Sequence, residues 1–319
     1  MRSRKRAHVV TPPEDTRPLP NLLIAGVAKA ATTSLFRYLG QHPDVYPAPK
    51  KELRYFTTLR YGEPLPPLAD YARNFAHSDG ARYRMEATPG YYAGGCTVAE
   101  AVDRLLPDVR VIVSLRDPVQ RCWSWYQFVR STARIPKEMA FAEYVDRCMR
   151  LHDEGTDGQR VNQQFWGVGG GCYDLWLDPW LEVLGHRFRI EFFEDVVRDS
   201  PGVVKGLCDW LEIDSAVCAG FAYAVENKTV QYKNKPLQKA ALSVNRNSEA
   251  FFAAHPGVKR ALRSAYYRVN SEKNRDRMDP AVRERLVEFY TPHNERLAAK
   301  LADANRMDCP DWLSAYRRV

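Results

Sequence analysis

Three groups of residues carry side chains suited to holding or moving charge. The first is Gly26-Val27-Ala28-Lys29-Ala30-Ala31-Thr32-Thr33-Ser34, where an apolar run gives way to a lysine and then three hydroxyls. If Thr32, Thr33 and Ser34 open a helix, its unpaired N–H groups and dipole favour an anion, and the hydroxyls add donors. The second is Arg116, directly after an apolar run, with Ser124 eight residues on. A guanidinium at a strand edge and a hydroxyl on the adjoining helix suit one phosphate, with arginine giving bidentate contacts. The third is Lys50-Lys51-Glu52-Leu53-Arg54-Tyr55-Phe56, which by composition alone reads as a solvated charged run. Plain readings exist for the others too: an ordinary N-cap at Thr32, a turn at Arg116-Asp117, and core packing for Trp123, Trp125 and Tyr126.

A loop that holds a nucleoside triphosphate reads Gly, four residues, then Gly-Lys-Ser/Thr. Here the sixth position after Gly26 is Thr32, and Lys29 comes three residues earlier. The kinase pattern fails at its central residue.

The elements that must position these groups follow from the hydrophobic pattern. Short runs rich in Val, Ile and Phe alternate with longer segments of helical spacing, which predicts an α/β fold with a central, mostly parallel sheet flanked by helices. Strands are expected at 21–27, 82–87, 110–115 and 187–193. Helices are expected near 32–40, 97–106, 118–130, 140–150, 173–184 and 200–212, with a late pair from about 237 and about 280. In the last, Val282, Leu286, Phe289, Leu297 and Leu301 share a face, and Pro292 is expected to kink or divide it. Residues 1–19, basic and proline-rich, read as a flexible arm, and 20–319 as one domain.

Of 319 residues, 45% are hydrophobic, enough for a sizeable core. The seven cysteines lie far apart with no Cys-x-x-Cys pair, so neither a zinc site nor a disulfide framework is expected, and a reducing cytoplasm fits best. No apolar run suits a signal peptide or a membrane span, so a soluble protein is expected. The net charge of +8 points to an anionic partner. No RNA-recognition, zinc-finger or basic-heptad signature supports a nucleic acid in that role.

Lys29-Ala30-Ala31-Thr32-Thr33 resembles the 5′-phosphosulfate loop of sulfotransferases that use 3′-phosphoadenosine 5′-phosphosulfate (PAPS), and Arg116-Asp117-Pro118 with Ser124 resembles their 3′-phosphate motif. The family often has glycine at Ala30 or Ala31, and alanine still allows close backbone approach unless a positive φ is required. Lys51-Glu52-Leu53-Arg54-Tyr55-Phe56 is similar to a stretch of the heparan sulfate and glycan branch whose glutamate is the general base. Across about Leu22 to Leu313 the resemblance implies a P-loop-like sulfotransferase fold. It implies transfer of a sulfuryl group from PAPS to a hydroxyl or amine of a glycan, glycolipid or small metabolite, without a metal.

The implied nucleotide contacts are Lys29, Ala30, Ala31, Thr32, Thr33, Ser34, Arg116 and Ser124, with Lys233 and Lys235 over the 3′-phosphate. Glu52 would accept the acceptor's proton, and Lys29 would neutralise charge on the oxygen bridging sulfur and the 5′-phosphate. The family lysine after Glu86 is replaced by Ala87, leaving Lys51 or Arg54 to substitute, while Glu86, Thr88 and Tyr91 are expected to line the acceptor pocket, the alternative being a structural turn around Pro89. Glu194-Asp195 reads as a helix-entry device and His42 as a helix-end residue. Two rival readings are an ATP-dependent small-molecule kinase and a non-enzymatic binder of polyanions.

Overall fold

A computed structural model describes residues 18–224, 231–232, 234–247, 257–258, 262, 265–266, 269–272, 276–303 and 309–315. The expected N-terminal arm lies outside the described residues except for its last two positions.

The main sheet contains β1 (Leu22–Gly26), β2 (Val45–Pro47), β3 (Tyr83–Ala87), β4 (Arg110–Leu115) and β5 (Phe188–Phe192). They lie in the order β2-β3-β1-β4-β5, every pair parallel. The helices are α1 (Thr32–Leu39), α2 (Leu68–Ala72), α3 (Gly95–Leu105), α4 (Pro118–Ser131), α5 (Phe141–Asp153), α6 (Asp174–Leu184), α7 (Phe193–Arg198), α8 (Ser200–Leu211), α9 (Lys235–Asn247), α10 (Pro280–Asp303) and α11 (Asp311–Ser314).

β1 is buried along its whole length, because a central parallel strand is covered on both faces. Its side chains alternate between two cores. Leu23 and Ala25 pack with Val111 and Val113 against α3 and α6, whereas Leu22 and Ile24 pack with Ile112 against α1 and α8. A third cluster, built by α4, α5 and α10, carries Val129, Tyr144, Leu286 and Tyr290.

The expected elements agree with the structure to within about three residues. Differences arise where periodicity is too short to register: β2 has three residues and α2 five. Pro292 does not divide α10, which runs as one helix from Pro280 to Asp303. Its missing N–H costs one internal bond, and burial of Leu286, Tyr290, Leu297 and Leu301 along the helix offsets it. Phe289 is only partly buried beside that stripe.

The chain leaves β1 toward β2 and β3 but leaves β4 toward β5, so connections diverge between the adjacent strands β1 and β4. In open α/β sheets a crevice forms at that switch point, beyond the strands' carboxyl ends. Lys29 follows β1 and Arg116 follows β4. Across this junction the Val27 N–H donates to the Ser114 carbonyl at 2.9 Å, extending the pairing into the two loops.

Candidate functional site

A cavity of about 1610 Å³ opens at this crevice. Drug-sized ligands occupy roughly 300–1,000 Å³, so a nucleotide leaves room for a second reactant. Among the described residues its lining contains nine basic ones, Lys29, Lys51, Arg54, Arg60, Arg116, Arg121, Arg134, Arg160 and Arg198, and a single carboxylate, Glu52.

The first loop is shaped for an anion. Thr32 begins α1, which has no side-chain cap and no acid in its first turn. The first backbone bond into the helix is from Leu35 N–H to the Ala31 carbonyl, and Thr32, Thr33 and Ser34 offer N–H groups with no acceptor among the described residues. Lys29 and Ala31 both have positive φ, 76° and 59°. The positive-φ condition under which glycine would be preferred is therefore met at Ala31. Ala30 is fully buried, its N–H donates to Val27, and its side chain does not line the cavity.

Arg116 meets this loop directly, its Nη1 donating to the Lys29 carbonyl at 3.0 Å. Its guanidinium lies 4.1 Å from the Phe193 ring centroid, its carbonyl accepts from the Tyr173 hydroxyl, and its buried Nε has no partner. Burial and then Arg116 lower Lys29 to about 8, and burial lowers Arg116 as well. Among the described residues no carboxylate pairs with Lys29. Two adjacent cations, a free guanidinium donor and three free N–H groups suit a nucleotide bearing phosphates.

Asp117 caps α4, accepting from Val119 and Gln120, and its own N–H donates to Glu194. Glu194 lies in the first turn of α7, so the helix-entry reading holds and gains a second role in fixing the Arg116 loop. Ser124 lines the cavity one helix face away.

Glu52 also lines the cavity. Arg54 Nη2 donates to its carboxylate at 2.8 Å and Lys51 Nζ lies 3.4 Å away. Burial works to raise the pKa of Glu52, but Lys51 and Arg54 together hold it below the usual carboxylate value. It is ionised at neutral pH. Its N–H donates to the Ala87 carbonyl, and both Glu52 and Arg54 have positive φ, 66° and 62°. Lys29, Ala31, Glu52 and Arg54 make up four of the seven non-glycine residues with positive φ among those described. Backbone strain of this kind gathers at functional sites, where surrounding structure maintains it.

Two acceptor-pocket expectations are corrected. Glu86 and Tyr91 are fully buried and do not line the cavity, because β3 turns Glu86 inward beneath Thr88. Thr88 does line it, donating to Glu86 and accepting the Arg54 N–H at 3.1 Å. Tyr71 also donates to Glu86. Burial raises Glu86 to about 7, so this carboxyl supports the Glu52–Arg54 segment from behind. Ala87 is fully buried, leaving no space for a cavity-facing lysine, and Lys51 and Arg54 bring positive charge to Glu52 instead.

Lys233 lies outside the described residues. Lys235 begins α9, whose Leu237 and Gln238 reach the cavity. Trp125 and Tyr126 are core residues, although Trp125 also touches the cavity wall. His42 is structural: Nδ1 accepts the Asp44 N–H, leaving Nε2 to donate to the Asp214 carbonyl. Sequence reasoning missed Arg60, Arg134 and Arg160, whose guanidinium groups stack on Trp166, Phe128 and Tyr61 at 4.1, 5.4 and 4.4 Å. Only their approach in space marks them.

The geometry defines a P-loop-like fold whose crevice is lined with basic side chains and unpaired N–H groups and whose loop lysine precedes the triphosphate-binding position. The sulfotransferase domain family matches residues 98–303. The chain belongs to the sulfotransferase family. It is 29% identical over 286 residues to human heparan sulfate glucosamine 3-O-sulfotransferase 6, covering 88% of this chain and 71% of that protein. It is 26% identical over 217 residues to the Caenorhabditis elegans bifunctional heparan sulfate N-deacetylase/N-sulfotransferase 1, covering 65% of this chain and 24% of that protein. The chain thus spans about a quarter of the length of the nematode relative. A sulfotransferase structure from Alicyclobacillus acidocaldarius shares the fold, with a TM-score of 0.65 and 23% identity over 94% of this chain and 100% of that one. No described helix is long and apolar enough to cross a membrane.

Two stability predictions follow from this wall. Left-handed φ costs alanine about 1–2 kcal/mol, while glycine loses about 0.4–1 kcal/mol more entropy on folding. Ala31→Gly is expected to stabilise the protein by roughly 0.5–1 kcal/mol in a denaturant titration; destabilisation would contradict strain at this position. Glu86 has a raised folded pKa, so its contribution is complete below about 4.5 and is lost as pH rises through about 7. Stability should therefore fall between about pH 4.5 and 7, and Glu86→Gln should flatten that fall; an unchanged slope would remove Glu86 as its source.

Proposed function

We propose that this chain transfers a sulfuryl group from PAPS to a hydroxyl or amine of an acceptor carrying its own negative charges, with a glycan as the first candidate. The observation that carries the reading is the cavity lining, in which, among the described residues, one carboxylate, Glu52, stands with nine basic residues. When bound, PAPS supplies a sulfuryl group whose transfer leaves adenosine 3′,5′-bisphosphate.

Lys29, the N–H groups of Thr32, Thr33 and Ser34, and their hydroxyls hold the 5′ end. Arg116, with its free Nε, and Ser124 hold the 3′-phosphate. Lys29 compensates negative charge at the oxygen released from sulfur, and Glu52 takes the acceptor's proton. Burial of Lys29 and Arg116 strengthens their hold on an anion, because water screens them less.

Arg54, Arg60, Arg134 and Arg160, with Trp166 and Tyr61, form the acceptor side. Flat aromatic faces suit sugar rings, and the guanidinium groups suit carboxylates or sulfates already on the acceptor. The human and nematode relatives are named for heparan sulfate, which supports a glycan.

A magnesium-free assay offering PAPS or ATP with a panel of acidic and neutral oligosaccharides tests the reading. Sulfate transfer from PAPS is expected, and Glu52→Gln should lower turnover by about 10²–10⁴-fold while nucleotide affinity stays within a few-fold. Phosphate transfer from ATP without sulfate transfer would favour the kinase, and full turnover by Glu52→Gln would exclude it as the base. Arg116→Ala should weaken adenosine 3′,5′-bisphosphate by more than tenfold in calorimetry, through loss of charge-assisted contacts. Unaltered affinity would place the 3′-phosphate elsewhere. Strong, salt-dependent nucleic-acid affinity without nucleotide binding would support the polyanion binder.

A further inference from the structure

Away from the cavity, the end of α5, the turn before α6 and the middle of α10 bring His152, Cys172 and His293 together. One ring nitrogen of each histidine and the Cys172 sulfur lie within 4.8 Å of one another. These positions are 20 and 121 residues apart in sequence, so no ligand spacing announces them.

The surroundings of both rings are specific. His152 Nδ1 lies 2.8 Å from Asp157 Oδ2, and His293 Nδ1 lies 2.7 Å from Asp174 Oδ1. His293 Nδ1 also lies 3.0 Å from Arg296 Nη2, and among the described residues neither Nε2 has a hydrogen-bond partner, so each ring has Nε2 to offer an ion. Metal-binding histidines are commonly fixed in this manner, their other N–H donated to a carboxylate that sets tautomer and orientation. The carboxylates are themselves held: Asp174 also accepts from Arg296 at 2.7 Å, and a Cβ at Gly169 would collide with Asp157. Cys172 is fully buried, and its thiol has no hydrogen-bond partner among the described residues. Two histidine–carboxylate pairs made only to tie helices together would not need to converge on a thiol.

We propose that Cys172, His152 and His293 form a site for a divalent transition metal, zinc in the first instance, with Asp157 and Asp174 orienting the two imidazoles. A thiolate with two imidazoles selects a borderline-soft ion over magnesium or calcium. Tetrahedral zinc, with bonds of about 2.3 Å to sulfur and 2.0–2.1 Å to nitrogen, needs ligand atoms roughly 3.3–3.6 Å apart. Side-chain rotation inward by about an ångström meets that distance. Binding releases the thiol proton and forms the metal–thiolate bond, with no redox change. The side chain of His152 is 25% exposed, which gives the ion a path in and a water a place as fourth ligand.

The site would join α5, the Gly169–Cys172 turn and α10. The next residue, Tyr173, donates to the Arg116 carbonyl at 2.9 Å, so the metal would also stiffen the backing of the nucleotide anchor. The proposal does not depend on the transfer reaction.

Chelator-treated full-length protein titrated with cobalt(II), then displaced with zinc, provides the test. One equivalent of cobalt should give a thiolate-to-metal charge-transfer band, and Cys172→Ser should abolish it. His152→Ala should weaken cobalt affinity at least tenfold, and Asp157→Asn by about 10–100-fold. No band in the parent protein, or a band that survives in Cys172→Ser, overturns the site. Should Cys172→Ser fail to fold, unchanged affinity in His152→Ala, a partly exposed position, overturns it equally.

Discussion

The hydrogen bond from Arg116 to the carbonyl of Lys29 ties together the two loops on which the site depends. Each loop follows one of two adjacent parallel strands, and pairing of β1 with β4 fixes the distance between them. Burial, and then the charge of Arg116, lower the pKa of Lys29, and burial lowers that of Arg116, so holding both cations here carries a desolvation cost. The fold accepts that cost because β1 and β4 are buried on both faces and cannot separate. On the proposed reading, an anion entering the crevice would offset that cost by pairing with both cations.

Much of this was legible in the sequence because it is local. The change from the apolar Leu22–Gly26 to Thr32-Thr33-Ser34 marks a strand, a loop and a helix start, and the structure places them there. Pro118 after Asp117 marks the start of α4, and Asp117 caps it. What sequence did not reveal depends on which face a residue occupies or on contacts across the chain. Glu86 and Thr88 lie two apart on β3 and its end, yet one is sealed in the core and the other reaches the cavity. Arg60 and Trp166 stack although 106 positions separate them. His152, Cys172 and His293 are the extreme case, since three elements must pack before they meet.

The positive-φ residues show how the fold holds its reactive groups. Glu52 and Arg54 flank Leu53 in left-handed backbone, and the segment is held by bonds from Glu52 N–H to Ala87 and from Arg54 N–H to Thr88. Thr88 can accept from Arg54 because its own proton is committed to the buried Glu86. The result is a chain of contacts from the core strand β3 to the cavity surface. A flexible glutamate on an unconstrained loop would lose most of its effect as a base, because catalysis by proton transfer requires reach before it requires basicity.

As the proposed base, Glu52 would be a weak one, because Lys51 and Arg54 hold its carboxylate in the ionised form. A weak base suffices for sulfuryl transfer if the proton leaves late. As the acceptor oxygen bonds to sulfur, electron withdrawal makes its proton steadily more acidic, until even a carboxylate of low pKa is the stronger base. Before that point an ionised Glu52 in that role would only accept a hydrogen bond, aligning the hydroxyl without deprotonating it. The same cations that weaken Glu52 guarantee that it is never already protonated when the acceptor arrives. Lys29, lowered to about 8, would have the complementary property in the proposed role: an approaching anion raises its pKa, so it would be fully charged as negative charge develops beside it.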